Sequence, residues 1–124
     1  MTFKDRDGHL DMEAVIDHMV RTCASLGPIL KADEDIIGGL PCLQVSWIAK
    51  ALVKFGRDGD AGCLKPVLDI AEQVLRDGGQ EGRDFIGACM VEGIPDNGES
   101  VLAPFAGPLL LQAMDQWRGR SASG

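Results

Sequence analysis

The chain has 124 residues, enough for one domain with its own hydrophobic core and too few for a second. Hydrophobic residues make up 45% and charged residues 25%, which excludes a disordered composition. The net charge of −7 repels phosphate backbones and anionic lipid, so no nucleic acid and no membrane is expected as a partner, whereas a basic protein surface would be attracted.

Residues 1–10 are polar, carry no hydrophobic signal core and are expected to form a mobile lead-in. Asp11 has the side chain of an N-cap, and Met12, Val15, Ile16, Met19, Val20 and Cys23 follow at helical spacing. That helix should stop near Ser25-Leu26-Gly27-Pro28, with a short helical piece from Pro28 to about Asp33. Asp33 to Gly39 then reads as a loop, acidic at one end and glycine-rich at the other.

A helix is predicted from Pro41 to Gly56, with Leu43, Trp47, Ile48, Ala51, Leu52 and Phe55 as its apolar stripe. Lys50, Lys54 and Arg57 share another face and are expected to pair with Asp69, Glu72 or Asp77 on the next helix. After the loop Arg57–Gly62, the residues Leu64, Val67, Leu68, Ala71, Val74 and Leu75 hold the i, i+3, i+4, i+7 pattern, and Glu72 is placed on the wet side. Asp77-Gly78-Gly79 ends this helix. A fourth spans about Gln80 to Gly93, where Gly87 in mid-helix signals a close helix–helix approach. The last segment, Glu99 to about Arg118, must break at Gly107-Pro108, because proline removes a helical hydrogen bond. The tail at 119–124 is expected to be disordered.

The fold class is therefore all-α. Five to six antiparallel helices, stacked as helical hairpins over residues 11–118, form a compact bundle or a HEAT-like stack. No run approaches the ~18 apolar residues that span a membrane. The cysteines at 23, 42, 63 and 89 sit in apolar surroundings without a C-x-x-C pair; they read as free, buried residues of a cytoplasmic protein.

Chemistry is sparse. The two histidines, His9 and His18, have no companions at metal-ligand spacing. No nucleophile elbow and no phosphate-binding glycine loop occurs, and Asp58-Gly59-Asp60-Ala61-Gly62 lacks the ligands of a calcium loop. No catalytic residue, metal or cofactor is assigned. Glu92, at a helix C-terminus, reads as a tie between helical hairpins. The leading candidate site is Asp33-Glu34-Asp35 with the adjoining Ile36-Ile37: three acids face a basic cleft while two apolar residues anchor the contact.

The order of these features is itself informative. An apolar helix ends at Gly27-Pro28, a helix with an internal Trp47 follows, and Gly56-Arg57-Asp58-Gly59-Asp60 precedes a regular helix to Asp77-Gly78. Cys89-Met90-Val91-Glu92-Gly93-Ile94-Pro95 and Phe105-Ala106-Gly107-Pro108-Leu109-Leu110 complete it. Over residues 12–117 this layout resembles a family of small, acidic, helical bacterial domains, some of which resemble immunity proteins of interbacterial toxin systems. The resemblance implies a cytoplasmic, non-enzymatic inhibitor that protects its own cell by occluding the active site of a cognate toxin. The alternative is a helical adaptor or a self-associating scaffold that uses Trp117 or Ile36 and Ile37.

Overall fold

Asp11 opens the helical part of the chain as its residue type predicts: its Oδ1 accepts from the Ala14 amide at 3.0 Å. The computed structural model describes residues 3–123, with side chains as far as Trp117. Helix α1 (Met12–Thr22) is followed by α2 (Leu26–Ala32), α3 (Glu34–Ile37), α4 (Pro41–Arg57) and α5 (Leu64–Asp77). Helix α6 (Gly79–Asp84) runs on into a π-helical segment (Phe85–Val91); α7 (Glu99–Leu102) ends in a 3-10 turn (Ala103–Phe105), and α8 (Pro108–Ser123) closes the chain. The only β feature among the described residues is an isolated bridge between Lys4 and Leu10.

Helix α4 is the axis of the bundle. It packs against the π-helical segment, α2, α7 and α1, while α5 packs against α6, α8 and α1. Val45, Ile48, Ala49 and Leu52 of α4 are fully buried, and so are Leu64, Val67, Leu68 and Ala71 of α5. Each large aliphatic side chain buried in this way contributes about 1.5–3 kcal/mol relative to exposure. The π-helical turn, marked by the bond from the Glu92 amide to the Gly87 carbonyl, brings residues five apart towards one face. Phe85 with Met90, and Ile86 with Val91, are all buried there. A Cβ on Gly87 would collide with the Trp117 indole, so the close approach expected at this glycine is one of the segment to α8.

Glu72 departs from expectation. It is 5% exposed, and its two carboxylate oxygens accept the Leu109 and Leu110 amides at 3.0 and 2.9 Å. A carboxylate on α5 thus caps α8, satisfying amides that have no partner inside that helix and opposing its positive end. Gly107 makes room, since a Cβ there would lie 2.5 Å from the Glu72 carboxyl carbon.

The cysteine reading is overturned. Cys23 is bonded to Cys63 and Cys42 to Cys89, with Cα separations of 5.6 and 5.0 Å, so no cysteine is free. The first disulfide joins the end of α1 to the start of α5; the second joins the first turn of α4 to the π-helical segment.

The lead-in expected at 1–10 has a defined turn over its described residues. The Asp5 amide donates to the His9 carbonyl, and Asp5 Oδ1 accepts from the amides of Asp7 and His9. Phe3 and Leu10 are buried, and the Phe3 ring lies 5.5 Å from the His18 ring. The tail expected to be disordered at 119–124 is helical through Ser123. Met1, Thr2 and Gly124, the outermost residues of these two regions, lie outside the described residues.

Candidate functional site

Asp33 ends α2 and precedes α3, and its carbonyl accepts from the amides of Ile36 and Ile37 at 2.8 and 3.0 Å. The acidic stretch is therefore a helical turn and not a loop. The Glu34 carbonyl then accepts from the Gly38 amide, where a Cβ would lie 2.6 Å from that same oxygen. Gly39 follows at φ +73°, a conformation open to glycine, and Pro41 starts α4. These two glycines fold α3 back against α4 and create a corner.

The corner sorts the five candidate residues. Successive residues of a helical turn diverge, so Ile36 is 61% exposed while its neighbour Ile37 is 1% exposed. Ile37 is withdrawn from the surface, which corrects its reading as a partner anchor. Asp33 is half-buried, and its Oδ2 accepts from Trp47 Nε1 at 2.7 Å, so its side chain serves the α2–α4 junction. Glu34 and Asp35 are exposed beside Ile36.

Two residues that belong with them were missed as surface groups. Leu40 is 48% exposed and Leu43 is 38% exposed, although Leu43 reads as part of the inward stripe of α4. Leu40, Leu43 and Trp47 recur at i, i+3 and i+7, so they share one face of the helix. Lys50 continues that face, its Nζ 4.6 Å from the centre of the Trp47 ring. The usable signal was that α4 carries apolar residues on two faces, one of which faces outward. Beside the corner, an open cleft of about 950 Å³ separates α1 from α3. Glu13, Asp17 and Glu34 mix with Arg21 and Lys31 on its walls.

The basic stripe does not pair as expected with Asp69, Glu72 or Asp77. Lys54 lies 3.8 Å from Asp58, Arg57 donates to the Asp96 carbonyl at 3.1 Å, and Lys50 stacks on Trp47. Asp69 pairs instead with Lys65. The tie between helices sought at Glu92 is made by Glu72, and Glu92 is exposed. His9 Nδ1 lies 3.0 Å from Glu81 Oε1, and this hydrogen bond, then the charges of Glu81 and Asp5, raise the histidine above its usual 6.5.

Among the described residues, no three histidine, cysteine, aspartate or glutamate side chains converge to hold a metal ion. The corner presents apolar side chains to water, bordered by the carboxylates of Glu34 and Asp35 and backed by buried Ile37. No family model, no curated protein and no solved structure matches the chain.

Proposed function

We propose that this chain is a non-catalytic protein-binding domain of the immunity type, and that its α3–α4 corner docks into an apolar socket rimmed by lysine and arginine on a toxin. The observation that carries this reading is the exposure of Ile36, Leu40 and Leu43 beside Glu34 and Asp35. Apolar residues desolvated at the centre of a contact supply most of its affinity, and charges at the rim steer the encounter. The net charge of −7 acts in the same direction over longer range. The resemblance in layout to immunity domains adds support.

An adaptor that self-associates through the same corner is the second reading, favoured by the exposed apolar residues themselves. A two-fold contact would set Glu34 and Asp35 of one copy near their counterparts in the other, which like charges oppose. Sedimentation separates the two readings, since a concentration-independent mass of 13.2 kDa removes self-association.

The two disulfides favour an oxidising compartment over the cytoplasmic placement expected from sequence. No helix among the described residues is long and apolar enough to cross a membrane. Co-expression with the products of adjacent genes tests the inhibitor reading. Protection of the host by the wild type, lost in the Glu34→Lys/Asp35→Lys/Ile36→Asp variant, supports it; no protection above an empty vector contradicts it.

A further inference from the structure

We infer that Cys42 is a site of reversible thiol modification, at which a dithiol reductant opens the Cys42–Cys89 bond and loosens the α3–α4 corner. The regulatory consequence rests on the docking role proposed for that corner; the chemistry does not.

The two disulfides differ in access. Cys23 is 1% exposed and its partner Cys63 is half-buried. Cys42 is exposed and Cys89 is half-buried, so this bond lies nearer the solvent than Cys23–Cys63, where Cys23 is 1% exposed. Exposed disulfides are the labile ones, because exchange needs the nucleophile to reach a sulfur. A dithiol gives up one thiolate to Cys42 Sγ; a new S–S bond forms there and the old one breaks. The leaving electron pair stays on Cys89 Sγ, which takes a proton from water. The second thiol of the reductant then displaces the Cys42 thiolate. The dithiol ends as a cyclic disulfide, oxidised by two electrons, and the protein bond is reduced by two.

Position gives the modification its effect. Cys42 lies in the first turn of α4, between Leu40 and Leu43, the apolar residues of the corner. That turn has no side-chain cap, and neither has α3. Gly38 and Gly39 link the two helices. The corner is held on one side by buried Ile37 and the Asp33–Trp47 bond, and on the other by Cys42–Cys89. Removing the covalent link leaves an uncapped turn beside two glycines, which is the condition for local opening.

The test uses the oxidised, folded chain and dithiothreitol. Graded reduction, quenched with N-ethylmaleimide and mapped by mass spectrometry, should label Cys42 and Cys89 while Cys23 and Cys63 remain bonded. In that partly reduced form, amide exchange over residues 34–46 should quicken at least about tenfold, with residues 64–76 unchanged. The Cys42→Ser/Cys89→Ser variant should show the same local change without reductant. Early labelling of Cys23 and Cys63, labelling of all four only on global unfolding, or unaltered exchange at 34–46 would each overturn the inference. None of these readings needs a binding partner, so failure of the docking proposal would be seen separately.

Discussion

Trp47 Nε1 donates a 2.7 Å hydrogen bond to Asp33 Oδ2, and this bond between residues 14 positions apart fastens the end of α2 to the middle of α4. It also fixes the base of the corner from which Ile36 projects. Asp33→Ala should lower stability by about 1–2 kcal/mol, because it leaves a half-buried indole N–H without its charged acceptor. A double-mutant cycle with Trp47→Phe, read by urea unfolding, should return a coupling of about 1 kcal/mol. Strict additivity would mean that the bond contributes nothing.

The Glu72 cap makes a larger claim. Glu72→Ala strands one part-buried and one buried amide in the first turn of α8 and should cost about 2–4 kcal/mol. Glu72→Gln keeps one good acceptor and should lose roughly half as much. Gly107→Ala should also destabilise, by about 1–3 kcal/mol, since its methyl group would meet the same carboxylate. Thermal unfolding of the three variants checks the order; a neutral Glu72→Ala would contradict it.

His9 and Glu81 provide a pH-dependent latch between the amino-terminal turn and α6. The folded-state pKa of His9 is raised by its bond to Glu81, so the latch is fully present below the usual 6.5 and is lost as pH rises through the raised value. An NMR titration should place His9 above 6.5 in the wild type and return it towards 6.5 in Glu81→Gln. Amide protection factors over residues 3–10, corrected for the intrinsic pH dependence of exchange, should fall across the same interval in the wild type and stay level in Glu81→Gln. The effect should shrink in high salt, because both groups are exposed.

The disulfides close loops of 40 and 47 residues. Chain entropy gives each closure about 4 kcal/mol. Full reduction should therefore lower the denaturation midpoint sharply, and the oxidised chain unfolded in denaturant should show no reactive thiol. Four free thiols under that second condition would refute both pairings.

Much of the fold was legible because its signals are local. The unbroken period of Leu64 to Leu75, the Asp11 cap, Pro41 at a helix start and the break at Gly107-Pro108 each act within a few residues of themselves. What escaped depends on chain segments meeting in space. Four cysteines in apolar contexts look alike whether free or bonded, and their pairing is decided by how α1 meets α5 and how α4 meets the π-helical segment. Glu72 reads as a wet residue until α8 arrives, 37 positions later, to place amides on its carboxylate. At the candidate site, residue types mark Asp33 to Ile37 as acidic and apolar but do not say which of them reach the surface. Only the helical turn at Glu34–Ile37 separates exposed Ile36 from buried Ile37 and sets Leu40 and Leu43 beside it.

The docking claim is tested most directly by the dissociation constant for the toxin identified by co-expression. It should be measured with the wild type and with Glu34→Lys/Asp35→Lys/Ile36→Asp, after circular dichroism has shown equal folding. Loss of an apolar anchor and reversal of two rim charges should weaken binding at least about 100-fold. An unchanged dissociation constant in a folded variant would place the contact elsewhere on the molecule.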